Sequence, residues 1–175
     1  PCPRTAVHSS PVARSRTNAS STSPMRRPAD TTAYTAKDAI ADATSGASVW
    51  KFADVVRKKD GSGRIVKAII MTSQTTNTEA FRLHFFSSAP TAIADNAACT
   101  APLLVDADKY VGKYDFPAAA TEGTGVTAAY AVNAVDVFWF KCQNETNLYA
   151  LLETPSGFTP ASGQTFDIFL LVDQD

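Results

Sequence analysis

The chain has 175 residues, 45% of them hydrophobic, with 16 Lys+Arg against 17 Asp+Glu. That length suits one domain around one sizeable core, and apolar runs such as 68–71 and 169–172 fall far short of the roughly 20 residues that a membrane-spanning helix needs. Three cysteines, Cys2, Cys99 and Cys142, are too few for a disulfide scaffold. They show no C-x-x-C spacing and have only His8 and His84 to help them, so the sequence predicts no structural zinc, no other metal and no cofactor.

Charge is unevenly placed. Residues 1–28 hold Arg4, Arg14, Arg16, Arg26 and Arg27 and no acid, which leaves 11 Lys+Arg against 17 Asp+Glu for residues 29–175. The leader is mostly Ser, Thr, Pro, Ala and Arg, too poor in large apolar groups to offset its ordering entropy. It is predicted to be an extended basic arm on an acidic body, and it lacks the apolar run of a secretory signal.

In the body, short β-rich runs alternate with turn signals and no helical period persists. Residues 49–57 and 64–72 flank Asp60-Gly61-Ser62-Gly63, which predicts a hairpin. Residues 35–44 are Ala-rich and suit a turn or short helix. In 81–86, Phe81, Leu83 and Phe85 alternate with Arg82 and His84, the pattern of a half-buried strand. Residues 87–102 read as a long loop. Further strands are predicted at 110–116, 126–132, 135–141, 148–153 and 166–172. The runs 137–140 and 169–172 are apolar on both faces. They suggest central strands with a sheet on one side and a partner subunit or loops on the other. About eight strands separated by turns predict an all-β fold, an antiparallel β-sandwich of jelly-roll type (29–175) with an extended N-terminal arm (1–28).

Chemistry is sparse. There is no P-loop, no G-x-S-x-G elbow and no H-E-x-x-H, so the reading is a non-enzyme. His84 is expected to be a satisfied surface or interface residue. Asp106-Ala107-Asp108 lacks the glycine and terminal Glu of a calcium loop and reads as a solvated loop. A Cys99–Cys142 bond stays open at this level. The strand spacing of Trp50, Phe52, Phe81, Phe85, Trp139 and Phe140 favours core packing over sugar stacking.

The run Arg27-Pro28-Ala29-Asp30-Thr31-Thr32-Ala33-Tyr34-Thr35-Ala36-Lys37-Asp38-Ala39-Ile40 resembles the opening of a family of small tailed-bacteriophage virion proteins. So do Gly63–Ala68, the run 81–91 ending in Pro90-Thr91, and Ala94-Asp95-Asn96; the resemblance spans about 26–172. It implies a head decoration or cement protein on the capsid outer surface, with the major capsid protein as partner. The arm arginines Arg4, Arg14, Arg16, Arg26 and Arg27 would then pair with acidic capsid patches. Closed homo-oligomers, a trimer before a dimer, would suit a local symmetry axis. A host-facing adhesion or fibre-anchoring module, with glycan affinity through loop aromatics such as Phe158, is the alternative. An acidic body and an arm without aromatics argue against nucleic acid.

Overall fold

The structure is a computed structural model that describes residues 17–76, 78–121, 128–133 and 138–175. Ten strands run in order: β1 (Thr17–Arg26), β2 (Asp38–Ile40), β3 (Trp50–Phe52), β4 (Ser62–Thr72), β5 (Phe81–Phe86), β6 (Tyr110–Phe116), β7 (Ala129–Asn133), β8 (Phe138–Lys141), β9 (Leu148–Thr154) and β10 (Thr165–Gln174). The one helical element among the described residues is a 3-10 turn at Leu104–Asp106. No helix among them is long and apolar enough to cross a membrane.

The strands form two antiparallel sheets stacked as a sandwich. Sheet 1 has the order β1-β10-β4-β7, with β8 also on β4, and sheet 2 has the order β2-β9-β5-β6, with β3 also on β9. Alternation explains the layers. Phe166, Ile168, Leu170 and Val172 of β10 point inward with Ile65 and Ile70 of β4, against Phe81, Leu83, Phe85, Leu148 and Leu152 of sheet 2, all essentially without exposure. β9 is buried at every position. Its even-numbered residues face the sandwich core, while Tyr149 and Leu151 join a second cluster with Ala39, Phe86 and Ile93. That second cluster forms because the long 87–109 connection folds back over the outside of sheet 2. The Ala39 amide donating to Ala97 O and the Cys99 amide to Lys37 O hold it there, and Asp106 ties the connection to itself, accepting from the Thr91 amide at 2.9 Å and from Lys109 Nζ at 2.7 Å. Asp106 is therefore buried, and the solvated loop expected there is corrected.

Three further expectations change. Strands 49–57 and 64–72 are not a hairpin: β3 pairs with β9 in sheet 2, and β4 pairs with β10 in sheet 1. The segment between them crosses from one layer to the other, burying Val55 and Val56 in the core. It is held against the 144–147 loop by Asp60 N to Glu145 O and by Thr146 Oγ1 to Asp54 Oδ1. Gly61 does make a tight turn, since a Cβ there would meet Lys58 O at 2.8 Å. Within 35–44, Lys37 turns the chain at φ 70° and Asp38–Ile40 pairs with β9 as a short strand. Of the two runs expected to be central, 169–172 lies in β10 between β1 and β4, while β8 (138–141) shares an edge of β4 with β7. Residues 134–137 and the start of the run 126–132 lie outside the described residues.

The boundary of the arm also moves. Residues 17–26, grouped with the leader by composition, pair with β10 over their whole length. The main chain alone supplies that ladder. Ser21 and Ser23 face inward and bridge to the facing edge, Ser21 Oγ donating to Ala53 O and the Lys51 amide to Ser23 Oγ. Pro24 is tolerated because β1 is an edge strand. Deleting residues 1–28 is therefore expected to strip an edge strand and destabilise the sandwich. Chemical denaturation of that truncation should show a lower midpoint, and an unchanged midpoint would mean that β1 contributes nothing.

The acid limb of stability follows from two carboxylates in this frame. Burial opposes ionisation of Asp106, but hydrogen bonds from Lys109 and Thr91 outweigh it and hold the group below its ordinary value. Asp115 behaves likewise, with hydrogen bonding and charge from Arg82 overcoming its desolvation. Both folded values lie below the unfolded one, so the stabilisation is complete above the usual carboxylate range near pH ~4 and is lost as pH falls through the folded values. Urea midpoints should hold steady from neutral pH down to that range and then drop. A midpoint that rises on acidification would contradict the assignment.

Candidate functional site

The outer face of sheet 1 carries large apolar side chains among its polar ones, where an exposed sheet face is usually polar. Phe169 lies opposite Ile69 on β4 and Thr22 on β1, Leu171 lies opposite Lys67, and Trp139 lies opposite Arg64. Trp139 is 56% exposed and Phe169 38%, while Ile69, Met71 and Leu171 are half-buried. The Arg64 guanidinium sits over the indole of Trp139, 5.7 Å from the ring centre, and is itself bound by Asp173 at 2.8 Å. Contiguous exposed apolar surface rimmed by charge is the usual mark of a docking site. Trp139 was assigned to the core by its strand spacing; the structure places it outside, whereas Trp50, Phe52, Phe81, Phe85 and Phe140 are buried as expected. A second apolar point is the 3-10 turn, where Leu104 and Val105 are 92% and 72% exposed.

The arginines expected to dock do not form one set. Arg4, Arg14 and Arg16 lie outside the described residues. Arg26 is exposed at the end of β1, its Nε donating to Gly163 O at 3.3 Å. Arg27 is buried, which corrects its placement in a docking arm. Its Nη2 donates to Asp95 Oδ2 at 3.0 Å and its Nε donates to the Tyr34 hydroxyl, which in turn donates to Asp95 Oδ1 at 2.6 Å. Asp95 Oδ1 also accepts the Ala41 amide at 2.9 Å, and Arg27 reaches Asp30 as well. Burial, then the Asp95 carboxylate, drives the Tyr34 hydroxyl far above its ordinary value, so it stays a donor at any working pH. Arg27, Asp30, Tyr34 and Asp95 are four of the polar residues in the runs 27–40 and 94–96. Here they tie the end of β1 to β2 and to the 87–109 connection.

Features that would suit a sugar are not gathered together. Phe158 stacks on Tyr34 at 4.9 Å and meets Phe81 edge-on at 6.1 Å, so it is part of the packing. An open groove of about 480 Å³ beside β1 is lined by Ser23, Arg26, Asp42, Ser48 and Lys51 among others, with no aromatic ring. Cys99 and Cys142 are both free. The Cys142 thiol is pushed up to about 12 by burial and by Glu145 and Asp60, which leaves it unreactive. Compared with protein-family models and with curated proteins, the chain matches none.

Proposed function

We propose that this chain is a structural virion protein that binds the mature bacteriophage capsid from outside and stabilises it, a decoration or cement protein without chemistry of its own. The observation that carries the reading is the pair of exposed aromatic side chains, Trp139 and Phe169, on the outer face of sheet 1 of a two-layer scaffold. Trp139 and Phe169 supply the kind of aromatic anchors that dominate protein interfaces, and Lys67, opposite Leu171, offers a positive charge to a partner surface. The resemblance to small tailed-phage virion proteins names that partner as the major capsid protein.

The strand order supports a jelly-roll assignment. If β2 and β3 count as one interrupted strand and β7 and β8 as another, the two sheets alternate as two interleaved Greek keys, the pattern of jelly rolls. Such a body binds the expanded shell and not its precursor, and stabilises the expanded state by mass action. The basic leader before residue 17 adds contacts on a neighbouring subunit through Arg4, Arg14 and Arg16. A homotrimer fits a local threefold and a homodimer a local twofold. Imaging of intact particles tests the reading. Density for the sandwich on the outer head surface, at a copy number matching the lattice, is expected; a tail location, or absence from the particle, would refute it.

A further inference from the structure

On the opposite layer, the folded-back connection brings a thiol over two buried polar side chains of sheet 2. His84 on β5 and Glu153 on β9 are diagonal neighbours on the outer face, because Arg82 is the residue opposite Glu153 and Leu151 the one opposite His84. Their relative exposures are 5% and 4%. Cys99 arrives from the 87–109 connection, fixed by its amide donating to Lys37 O at 2.7 Å. One ligand atom from each of the three, an imidazole nitrogen, a thiol sulfur and a carboxylate oxygen, lies within 4.8 Å of the others.

We infer that His84, Cys99 and Glu153 form a binding site for a divalent transition metal, zinc by the chemistry of its donors, with a fourth position open to water. A mixed nitrogen, sulfur and oxygen set with three protein ligands is the pattern of zinc sites that keep one exchangeable position. The outer partners are in place. The Tyr110 hydroxyl lies 3.2 Å from His84 Nδ1, and Arg82 Nη1 donates to Glu153 Oε1 at 3.3 Å, which leaves Oε2 facing His84 Nε2 at 2.8 Å. Tetrahedral zinc holds nitrogen and oxygen ligands about 3.3 Å apart and nitrogen and sulfur about 3.6 Å apart. The His84–Glu153 contact therefore opens by about half an ångström and the thiol closes in by about 1 Å. The proton between Nε2 and Oε2 moves to Nδ1, where the Tyr110 oxygen accepts it. Cys99 gives up its thiol proton, so at least one proton leaves for each metal bound. Cys99 is half-buried and forms the solvent side of the site. Short-range spacing could not reveal this set, since 84, 99 and 153 come from three separate segments.

The test uses the full chain carrying Cys2→Ser and His8→Ala, which removes the only other imidazole and leaves the buried Cys142 as the only other thiol. Addition of cobalt(II) alone should produce a thiolate-to-cobalt charge-transfer band that zinc abolishes at one equivalent. Zinc should also raise the melting temperature. Cys99→Ser in that background keeps the side-chain size and should lose the band, and should weaken zinc by more than the roughly 10–100-fold that loss of an outer partner costs. Tyr110→Phe should fall within that smaller range. No cobalt–thiolate band in the parent, or zinc affinity equal in the parent and in Cys99→Ser, would overturn the site.

Discussion

Asp95→Ala is expected to lower stability by about 3–5 kcal/mol, the range seen when one partner of a buried charge pair is removed. The Arg27 side chain has no exposure and the Asp95 side chain 1%, so the variant leaves a guanidinium in the interior without its buried counter-charge, with only the partly exposed Asp30 at 3.4 Å. It also strands the Tyr34 hydroxyl and the Ala41 amide, both of which donate to Asp95. Urea denaturation should show a lower midpoint with an unchanged slope, because the loss is energetic and not a change in exposed surface. Asp95→Leu combined with Arg27→Met should recover only the part of the loss that comes from the unpaired charge, because the Tyr34 hydroxyl and the Ala41 amide still lack their acceptor. A loss below about 1 kcal/mol in Asp95→Ala, the level of an exposed pair, would mean that the network is solvated. In that case Arg27, Tyr34 and Asp95 would need another explanation.

The second large effect falls on binding. Trp139→Ala and Phe169→Ala should each weaken attachment to expanded heads by about 2 kcal/mol or more, roughly 30-fold apiece, as for aromatic anchors at the centre of an interface. Both side chains stand outside the core, so their removal should move the unfolding midpoint little, within about 0.5 kcal/mol. That separation between binding and stability is the signature of a docking face. Loss of stability with retained binding would reverse the roles assigned to these residues. Co-sedimentation isotherms and denaturation curves of the same preparations provide both readings.

The layered β architecture was legible because its core strands alternate strongly. Phe81-Arg82-Leu83-His84-Phe85 and Phe166–Val172 announce their inner faces by side chain alone, and the apolar outer face of β10 was visible as a run hydrophobic at consecutive positions. β1 escaped detection because Thr17–Arg26 carries almost no apolar pattern; its strand is held by main-chain pairing to β10 and by serine bridges. The hairpin expected across Asp60–Gly63 failed for a related reason. A turn signal fixes a local bend but not the pairing partner, and burial of Val55 and Val56 carries the chain into the other sheet. Arg27 illustrates the limit for the site: composition assigns an arginine beside Pro28 to a solvated arm, while an aspartate 68 residues away draws it inside. His84 is expected from its strand pattern to be a satisfied surface or interface residue, whereas the structure buries it; its neighbours Glu153 and Cys99 come from other segments and leave no trace in spacing.

The central claim is that the outer face of sheet 1 engages the mature shell. The most direct measurement is binding of the purified chain to expanded and unexpanded heads of its cognate major capsid protein, each separated from free protein by sedimentation. Saturable binding to expanded heads at a stoichiometry set by the lattice, with none to the unexpanded form, is the expected result. Equal binding to both forms, or no binding to either, would contradict it.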